Sequence, residues 1–525
     1  MIYFILSLIP LLYLVYIKSK KSIHMLQQNY YDESNRYLLW IKANLKKVFL
    51  SYDLLLFLIG ITFFLKAEIT YCLFFLITVF IIIKIKNKKE QVKKPLVVTS
   101  RVKRLFITEI VLYLAIILLM LFLFNQKDII LYYLVLSLIT YLNYFLILLV
   151  NKINIPLEKC VYLYYKHMAR KKLFSMHLPV IGITGSYGKT SSKNILNDIL
   201  NVKFNSFATP KNFNTPYGII RSINNYLDKF NDCFIAEMGA FKVGEIKKIC
   251  NLVKPKYGIL TKIGEAHLES FGSRENIAKG KFELIESLPL DGIGILNGDD
   301  EYQRNYKIKN KCKILWIGID NKDVDLYASN IKLSGDGTSF DCVFKGDKNK
   351  YHFQTKLLGK HNVYNILSAI LLCKNLKMSI DEIKIGVKEI KPIEHRLELK
   401  PYGSNFIIDD AYNSNPVGSS MALDVLNLMP GEKIVVTPGM IELGSKQYEA
   451  NFEFGKHIGK VASYVILVGR KQTKPIYDGL KNCNYDEKKI YIINDVKEAF
   501  SIINKLSCNK TYILLENDLP DLFNE

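Results

Sequence analysis

Residues 180–193 read VIGITGSYGKTSSK, and this stretch decides the fold of the region around it. The apolar residues that lead into it predict a short buried strand. Gly185 and Gly188 come next, and glycine lets the backbone turn there and bring its N–H groups close to an anion. The general phosphate-loop pattern G-x-x-x-x-G-K-[ST] would require a first glycine at position 183, where this chain has Ile183.

The second half of the stretch carries side chains that suit the phosphates of a nucleotide. Lys189 offers a positive charge to the β- and γ-phosphates, and Thr190 and Ser191 offer hydroxyl groups to Mg²⁺. Ser186 lies inside the loop. These residues open a predicted helix, whose N-terminus also favours an anion. A strand, a glycine-rich turn and a helix in this order predict an ATP site rather than a turn that binds nothing.

The first 150 residues are rich in apolar side chains. Five apolar stretches occupy residues 2–17, 48–65, 69–83, 105–124 and 129–150. The last two are long enough to cross a bilayer, which takes about 20 residues, whereas the second and third suit a tight helical hairpin. The first has no positively charged start and no small-residue cleavage site, which indicates an uncleaved signal anchor. We expect a transmembrane region of about five helices over residues 1–150.

Basic residues are distributed unevenly along the chain. Residues 1–175 hold 24 Lys and Arg against 8 Asp and Glu, which gives +16 of the total +22. The loops 18–47 and 84–104 carry seven and nine basic residues, and the alternate loops carry one each. Since basic loops face the cytoplasm, we expect a multi-pass cell-membrane protein with its N-terminus outside and its catalytic domains in the cytoplasm. This distribution favours membrane lipid over nucleic acid as a partner.

Residues 151–175 mix aromatic and basic side chains at helical spacing and predict a juxtamembrane linker helix. The pattern fits a helix that lies on the membrane surface. An ordinary linker helix fits it equally well, so both interpretations stay open.

The motif TGSYGKTSSK resembles the phosphate loop of the Mur ligases, the ATP-dependent amide ligases of peptidoglycan synthesis. Their loop reads T-G-[ST]-x-G-K-T, so an isoleucine at position 183 is usual in that family. The resemblance covers about residues 178–525 and is greatest to the MurF branch, which joins D-alanyl-D-alanine to a UDP-muramoyl-tripeptide. MurF enzymes begin with a soluble domain that binds the UDP end, where this chain has apolar stretches. Whether the substrate is UDP-linked or lipid-linked therefore stays open.

A second strand ends in a carboxylate, because residues 234–237 read FIAE and Glu237 follows the apolar run. The end of a neighbouring strand is well placed to reach the phosphate loop. The resemblance implies that Glu237 and His267 hold a second Mg²⁺ together with a carbamylated lysine about fourteen residues after the histidine. Counting from His267 gives Lys281, with Lys279 as the runner-up. Without the resemblance, both lysines fit a solvated helix face.

A loop at residues 209–218 reads TPKNFNTPYG, which by composition alone is an ordinary turn. It resembles the substrate loop of the MurF branch, although the usual order there is N-N-x-x-G-x-P. The resemblance implies that Asn212, Asn214 and Thr215 lie on the substrate side.

The motif LGKHNVYN at residues 358–365 resembles the family's L-G-x-H-N-x-x-N. The resemblance implies that Asn362 contacts the adenine base, since an amide can both donate and accept hydrogen bonds. Helix capping by Asn362 is the alternative.

Two motifs near the start of the last region complete the pattern. Residues 394–398, EHRLE, match the family's H-R-x-E and imply that Arg396 reaches the γ-phosphate. Residues 407–416, IIDDAYNSNP, match D-D-x-Y-N-x-N-P and imply that Asp410 binds the ribose hydroxyls. A turn with no ligand is the alternative for the second motif.

We therefore expect an α-helical membrane region, then an α/β ATP-binding domain over residues 176–390 and a Rossmann-like domain over residues 391–525. The implied reaction is ATP-dependent amide formation through an acyl phosphate, with ATP and Mg²⁺. The substrates would be a muramoyl peptide or another cell-envelope carboxylate, and an amino acid or dipeptide. An amide ligase outside peptidoglycan synthesis, of the polyglutamate type, is the alternative. An ATP-driven transporter would leave the motifs at residues 358–365 and 394–416 unexplained.

Overall fold

The computed structural model describes residues 2–64, 67–87, 95–123, 129–264, 268–334, 337–411, 415–441, 443–506 and 510–518. The chain divides into two compact units, Met1–Leu163 and Tyr164–Glu525. Part of the basic loop at residues 84–104 lies outside the described residues.

The first unit is mostly helical over its described residues and has no strand there, as its long apolar stretches predict. Its α-helices are α1 (Ile2–Gln28), α2 (Arg36–Ala43), α3 (Leu45–Phe49), α4 (Ala67–Asn87), α5 (Ser100–Leu123), α6 (Ile129–Tyr141) and α7 (Asn143–Ser175), and its 3₁₀ helices are Tyr30–Asn35 and Tyr52–Phe64.

Two helices within the described residues are long and apolar enough to cross a membrane, Glu68–Asn87 and Ser100–Leu123. A third span results if Ile130–Tyr141 and Asn143–Ser175, which meet at a bend of 75°, form one broken crossing. The predicted number of about five stays a prediction. A 3₁₀ helix of 13 residues, Tyr52–Phe64, occupies the second apolar stretch and packs on α4, and the predicted tight helical hairpin stays a prediction.

Polar side chains meet in the interior of the first unit. Glu109 of α5 is 2% exposed and accepts hydrogen bonds from Ser19 Oγ of α1 and Asn143 Nδ2 of α7, each at 2.7 Å. Lys18 and Asp53 form an ion pair in the same unit. Polar contacts of this kind hold helices together where apolar surroundings make an unpaired group costly.

Helix α7 is one helix of 33 residues and includes the predicted linker at residues 151–175. Ile153, Leu157, Tyr164 and Met168 are exposed, and their spacing of four, seven and four residues places them along one side of the helix. An exposed apolar stripe on a helix marks a surface that can bind a partner or a lipid.

The second unit contains two sheets. The strands of the first are β1 (Val180–Thr184), β2 (Ser206–Ala208), β3 (Cys233–Glu237), β4 (Tyr257–Leu260), β5 (Ile293–Asn297), β6 (Lys313–Gly318), β7 (Leu326–Ser334), β8 (Gly337–Phe344) and β9 (Tyr351–Thr355). Its helices are α8 (Lys189–Leu200), α9 (Pro216–Asn225), α10 (Glu245–Val253), α11 (Leu268–Phe271), α12 (Arg274–Glu286), α13 (Glu301–Arg304), α14 (Lys360–Asn375) and α15 (Ile380–Lys388).

The strand order of this sheet explains where a ligand can bind. The order is β2-β3-β1-β4-β5-β6-β7-β8-β9, parallel from β2 to β7 and antiparallel beyond. The chain therefore passes from β1 to one side of the sheet and then crosses to the other. In open α/β sheets, ligands bind outside the carboxyl ends of the strands at such a reversal. The loop after β1 lies at this position.

Side chains of β1 alternate between two packed faces, as expected of a fully buried strand. Ile181 and Ile183 belong to a core cluster with residues of α8 and α14. Gly182 lies on the other face, where a Cβ atom would lie 2.5 Å from Leu284 of α12 and 2.9 Å from Met238. Close packing on both faces fixes the direction in which β1 delivers the loop.

The second sheet has six strands in the order β10-β11-β15-β12-β13-β14. They are β10 (Glu398–Tyr402), β11 (Asn405–Asp410), β12 (Lys433–Thr437), β13 (Tyr464–Val468), β14 (Ile490–Ile493) and β15 (Tyr512–Glu516), and the helices are α16 (Pro416–Leu428), α17 (Gln447–Val461), α18 (Lys474–Asn482) and α19 (Val496–Leu506). All pairs except β10–β11 are parallel, and apolar clusters cover both faces. A helical region followed by α/β confirms the predicted fold class, while the predicted domain boundaries stay predictions.

The packing of α14 gives a direct test of the core. Ile366 of α14 is fully buried, whereas Ile385 of α15 is 50% exposed. We expect Ile366→Ala to lower the free energy of unfolding by about 2 to 5 kcal/mol, since it leaves a cavity. Ile385→Ala, the matched control, should cost less than about 1 kcal/mol. Urea unfolding followed by the fluorescence of Trp316, in a Trp40→Phe background, measures both. Equal losses in the two variants would contradict this account of the core.

Candidate active site

The loop between β1 and α8 is shaped by two glycines. Gly185 has φ +153°, and a Cβ atom there would lie 1.9 Å from Thr261 Oγ1. Gly188 has φ +77° and precedes the first residue of α8. The loop is held from the neighbouring strand end, because Ser186 N donates to Lys262 O at 2.8 Å. These constraints leave the backbone in the open turn that the sequence predicts.

Lys189 is the first residue of α8, and its side chain folds back over the loop. Its Nζ donates to the carbonyl oxygens of Gly185 at 2.9 Å and Ser186 at 3.0 Å. Burial lowers the pKa of Lys189 to about 8, the carboxylate of Glu237 opposes this shift, and the guanidinium of Arg396 adds to it. A buried ammonium held by two carbonyl groups is ready to exchange them for phosphate oxygens.

Glu237 ends β3 beside the phosphate loop, because β3 pairs with β1 and Ile183 is the register partner of Glu237. Glu237 Oε1 accepts hydrogen bonds from Thr190 Oγ1 at 3.1 Å and from Asn214 Nδ2 at 3.0 Å. A carboxylate and a hydroxyl group this close, next to a phosphate-type loop, form an oxygen-rich donor set of the kind that Mg²⁺ prefers. The residues present therefore fit a magnesium ion.

The structure separates the two candidate lysines of α12. Lys281 is 1% exposed, whereas Lys279 is exposed. Lys281 Nζ donates to Ala240 O at 3.3 Å. Burial lowers the pKa of Lys281 well below its usual value, and the charge of Lys189 lowers it further. Carbamylation requires an amine that can lose its proton, and this burial and direction of shift favour Lys281 over Lys279. His267 lies outside the described residues.

The predicted substrate residues differ in their surroundings. Asn214 contacts Glu237 and therefore reaches the site directly. Thr215 caps α9, because its side chain accepts a hydrogen bond from Gly218 N. Asn212 is exposed on the loop. Of these three, Asn214 is the one that the structure brings to the predicted metal side.

A cavity lies between the two sheets of the second unit. The empty space in it is about 920 Å³, part of it continuous with solvent. Four of the predicted residues line it: Gly188 and Ser191 from the phosphate loop side, and Arg396 and Asp410 from the second sheet side. Polar and charged side chains on both walls of this cavity suit a charged ligand.

Arg396 is presented by an unusual backbone. Its neighbours His395 and Leu397 have φ of +60° and +49°, in the left-handed region that side chains rarely adopt. Leu397 N donates to Asp410 Oδ1 at 3.2 Å, which ties this turn to the end of β11. Burial raises the pKa of Asp410, and Arg396 opposes that shift. The guanidinium and the carboxylate are thus fixed together at the cavity.

Asn362 occupies a different place from the one that the resemblance implies. Its Nδ2 donates to Leu358 O at 2.8 Å, and it is absent from the cavity lining, although its neighbours His361, Tyr364 and Asn365 contribute to it. The hydrogen bond to Leu358 is a local one, and it is not helix capping, because the N-cap position of α14 is Gly359 and the Asn362 amide donates to a carbonyl group. The neighbouring residues of the same motif are better placed to meet a bound base.

Sequence reasoning missed several lining residues. Thr261 follows β4 and Asn297 ends β5, so both stand at the same carboxyl edge as the phosphate loop. β4 pairs with β1 and β5 pairs with β4, so both residues lie at the carboxyl ends of parallel strands on one side of β1, and that is the signal that could have found them. His361 lines the cavity as well, and burial lowers its pKa to about 4, with Arg396 adding to the shift.

Comparisons with known proteins agree with this geometry. Residues 183–373 match the Mur ligase middle domain, and residues 395–515 match the Mur ligase, glutamate ligase domain. The UDP-N-acetylmuramoyl-tripeptide–D-alanyl-D-alanine ligase of Escherichia coli (strain K12) is 30% identical over 279 residues, which are 53% of this chain and 61% of that protein. The same ligase of Buchnera aphidicola subsp. Baizongia pistaciae is 30% identical over 60% of this chain and 71% of its own length.

Solved structures share the fold of the second unit. MurF from Acinetobacter baumannii superposes with a TM-score of 0.61 at 23% identity, over 68% of this chain and 77% of that one. MurF ligase from Thermotoga maritima, solved in complex with ADP, gives a TM-score of 0.60 at 25% identity, over 68% and 80%. The chain spans about three fifths of the E. coli relative. Two family models in order, a relative at 30% identity and a shared fold show that this chain belongs to the Mur ligase family.

Proposed function

We propose that the protein is a membrane-anchored, ATP-dependent amide ligase of the MurF type. The observation that carries the proposal is the cavity on which Gly188 and Ser191 from one sheet converge with Arg396 and Asp410 from the other. A phosphate loop, a guanidinium and a carboxylate around one pocket suit the phosphates and ribose of ATP.

The chemistry proceeds in two steps. An oxygen of the substrate carboxylate attacks the γ-phosphorus, the bond from that phosphorus to the bridging oxygen breaks, and ADP leaves. The amine nitrogen then attacks the acyl carbon, loses a proton, and phosphate departs as the amide forms. Lys189 and Arg396 stabilise the negative charge on the transferring group, so positioning and electrostatics supply most of the catalysis.

Thr190 and Glu237 would hold a magnesium ion, joined on the family's pattern by His267 and by Lys281 as a carbamate. When bound, Mg²⁺ neutralises phosphate charge. In carbamylation the ammonium loses a proton, the free amine forms an N–C bond to CO₂, and a second proton leaves, so that an anion replaces a cation; the burial of Lys281 near Lys189 gives a physical reason for that exchange.

The substrates follow from the relatives, whose printed names specify a UDP-N-acetylmuramoyl-tripeptide and D-alanyl-D-alanine. We propose a muramoyl peptide or a similar cell-envelope carboxylate, and D-alanyl-D-alanine or a similar amine. The match to the family models begins at residue 183, and apolar helices precede it. A lipid-linked or membrane-proximal carboxylate would suit that arrangement, and a polyglutamate-type ligase is the second candidate.

We also propose that the first unit spans the cell membrane several times with the N-terminus outside. Two candidate spans and the basic loops between apolar stretches support this orientation. The exposed side of α7 with Leu157 and Tyr164 would contact membrane lipid.

Phosphate release by the detergent-purified protein tests the proposed reaction. UDP-N-acetylmuramoyl-tripeptide, its lipid-linked form and D-alanyl-D-alanine are supplied singly and in pairs. We expect ATP turnover to require one carboxylate and the amine together. Lys281→Ala should lower turnover by about 10- to 100-fold, since the lysine supports the metal, and Lys279→Ala on the same helix should not.

The pattern across the substrates decides between the candidates. Turnover independent of both substrates would reject the muramoyl assignment, and turnover with glutamate and a non-muramoyl carboxylate would select the polyglutamate type. Equal losses in the Lys281 and Lys279 variants would reject the role given to Lys281.

The pKa of Lys189 predicts how nucleotide binding depends on pH. Its folded-state pKa of about 8 is depressed, so the ammonium is present below pH 8 and lost above it. Because phosphate oxygens favour the charged form, affinity for Mg²⁺ and an ATP analogue should be constant from pH 6.5 to about 7.5 and then fall by up to about tenfold per pH unit. Calorimetric titration measures it. Lys189→Arg stays charged, and a decline as steep as in the wild type would contradict the assignment.

Cysteine labelling tests the proposed orientation. Tyr3 and Lys42 are both exposed and lie on opposite sides of the membrane if α1 crosses it. In a Cys72→Ser background, we expect a membrane-impermeant maleimide to label Tyr3→Cys on intact cells. Lys42→Cys should react only after permeabilisation. The reverse pattern would place the N-terminus inside.

A further inference from the structure

Lys193 lies one turn beyond Lys189 on α8 and is 1% exposed, although lysine almost always reaches solvent. Its Nζ lies 3.1 Å from Glu237 Oε2. The same ammonium donates to the backbone carbonyl of Lys211 at 2.5 Å. One buried cation therefore links the helix after the phosphate loop, the end of β3 and the loop at residues 209–215.

The other oxygen of Glu237 faces the nucleotide side. Glu237 Oε1 accepts a hydrogen bond from Thr190, which follows the phosphate-loop lysine. It accepts a second one from Asn214, near the far end of the loop at residues 209–215. The two carboxylate oxygens thus have separate partners. Lys193 and Asn214 both connect Glu237 to the loop at residues 209–215. A movement of the carboxylate would therefore act on two positions of that loop.

The loop also rests directly on the strand end. Thr209 Oγ1 accepts from Glu237 N at 3.2 Å, and Gly239 N donates to Asn214 O at 2.8 Å. A Cβ atom on Gly239 would lie 2.9 Å from the Asn214 side chain. Both ends of the loop are therefore fixed to β3, and the bond from Lys193 to Lys211 is a tether between them.

We propose that Lys193 is a positioning residue that couples the magnesium–nucleotide site to the substrate loop. The proposal rests on the proposed function in two respects only. It takes Glu237 as the carboxylate that would bind Mg²⁺, and it takes residues 209–215 as the loop on the substrate side. Binding of Mg²⁺ and nucleotide fixes Glu237, and Lys193 transmits that constraint to the Lys211 backbone. Without the ammonium, one carboxylate oxygen and one carbonyl group lose their buried partner, and the loop loses its central tether.

Hydrogen exchange of the full chain in detergent tests this coupling. The probe is Mg²⁺ with a non-hydrolysable ATP analogue. In the wild type, we expect the probe to slow exchange of the amides in residues 210–215 by at least tenfold. Lys193→Met should reduce that slowing to less than threefold, measured at a probe concentration that saturates each protein.

The chain supplies a matched control in Lys203. Its Nζ also pairs with a glutamate, Glu382 at 3.2 Å, and also donates to a backbone carbonyl, that of Lys377 at 2.9 Å, but its side chain is 37% exposed. Lys203→Met should behave as the wild type does. Lys193→Arg, which keeps the cation, should retain more of the protection than Lys193→Met.

A wild-type measurement keeps the test decisive if Lys193→Met does not fold. Because the connection runs through the metal-facing carboxylate, the analogue with EDTA should leave the loop unprotected. Equal protection with and without Mg²⁺, or full protection in a folded Lys193→Met, overturns the proposal. A wild type that binds no Mg²⁺–nucleotide at all rejects the proposed function instead.

Discussion

The catalytic half of this protein depends on one buried carboxylate. Glu237 is 1% exposed and has hydrogen-bonding or ionic partners on both oxygens, which is the condition for keeping a charge out of water. Its position is set by the register of β3 on β1, and the register is set by the packing of β1 on both faces. Packing therefore determines where Glu237 lies, and its hydrogen-bonding and ionic partners then stabilise the carboxylate there.

The second sheet contributes Arg396 to the site through a constrained backbone turn. Arg396 stands between two residues with positive φ, and the following backbone N–H is bound by Asp410 at the end of β11. Backbone strain of this kind persists only where the surroundings enforce it, and here it aims a guanidinium at the cavity. Since the phosphate loop and Arg396 belong to different sheets, the relative position of the two sheets controls whether both groups meet one ligand.

Sequence reasoning predicted the elements that follow from local residue patterns, and it missed the residues that only tertiary packing brings to the site. The strand, loop and helix around Lys189 and the strand that ends in Glu237 follow from apolar runs and glycine positions, and the structure has them. Burial separates Lys281 from Lys279, which have the same local pattern but opposite faces of α12. Thr261 and Asn297 carry no motif, and only the strand order brings them to the cavity. The 3₁₀ helix Tyr52–Phe64 was not predictable from apolarity alone.

The charges around the site favour an anionic ligand. Among the described residues, Lys193 and Lys281 are buried and Lys189 is partly buried, and Glu237 is the carboxylate that pairs with Lys193. Burial without enough negative charge lowers the pKa values of Lys189 and Lys281, which is the signature of a site that lacks its counter-charge. In the proposed function, phosphate oxygens would place negative charge next to Lys189. A carbamate on Lys281 would replace a positive charge by a negative one and so reduce the excess of positive charge. Lys193 needs no ligand, because Glu237 and the Lys211 carbonyl already satisfy it, and it can therefore hold the loop in place while its neighbours exchange partners.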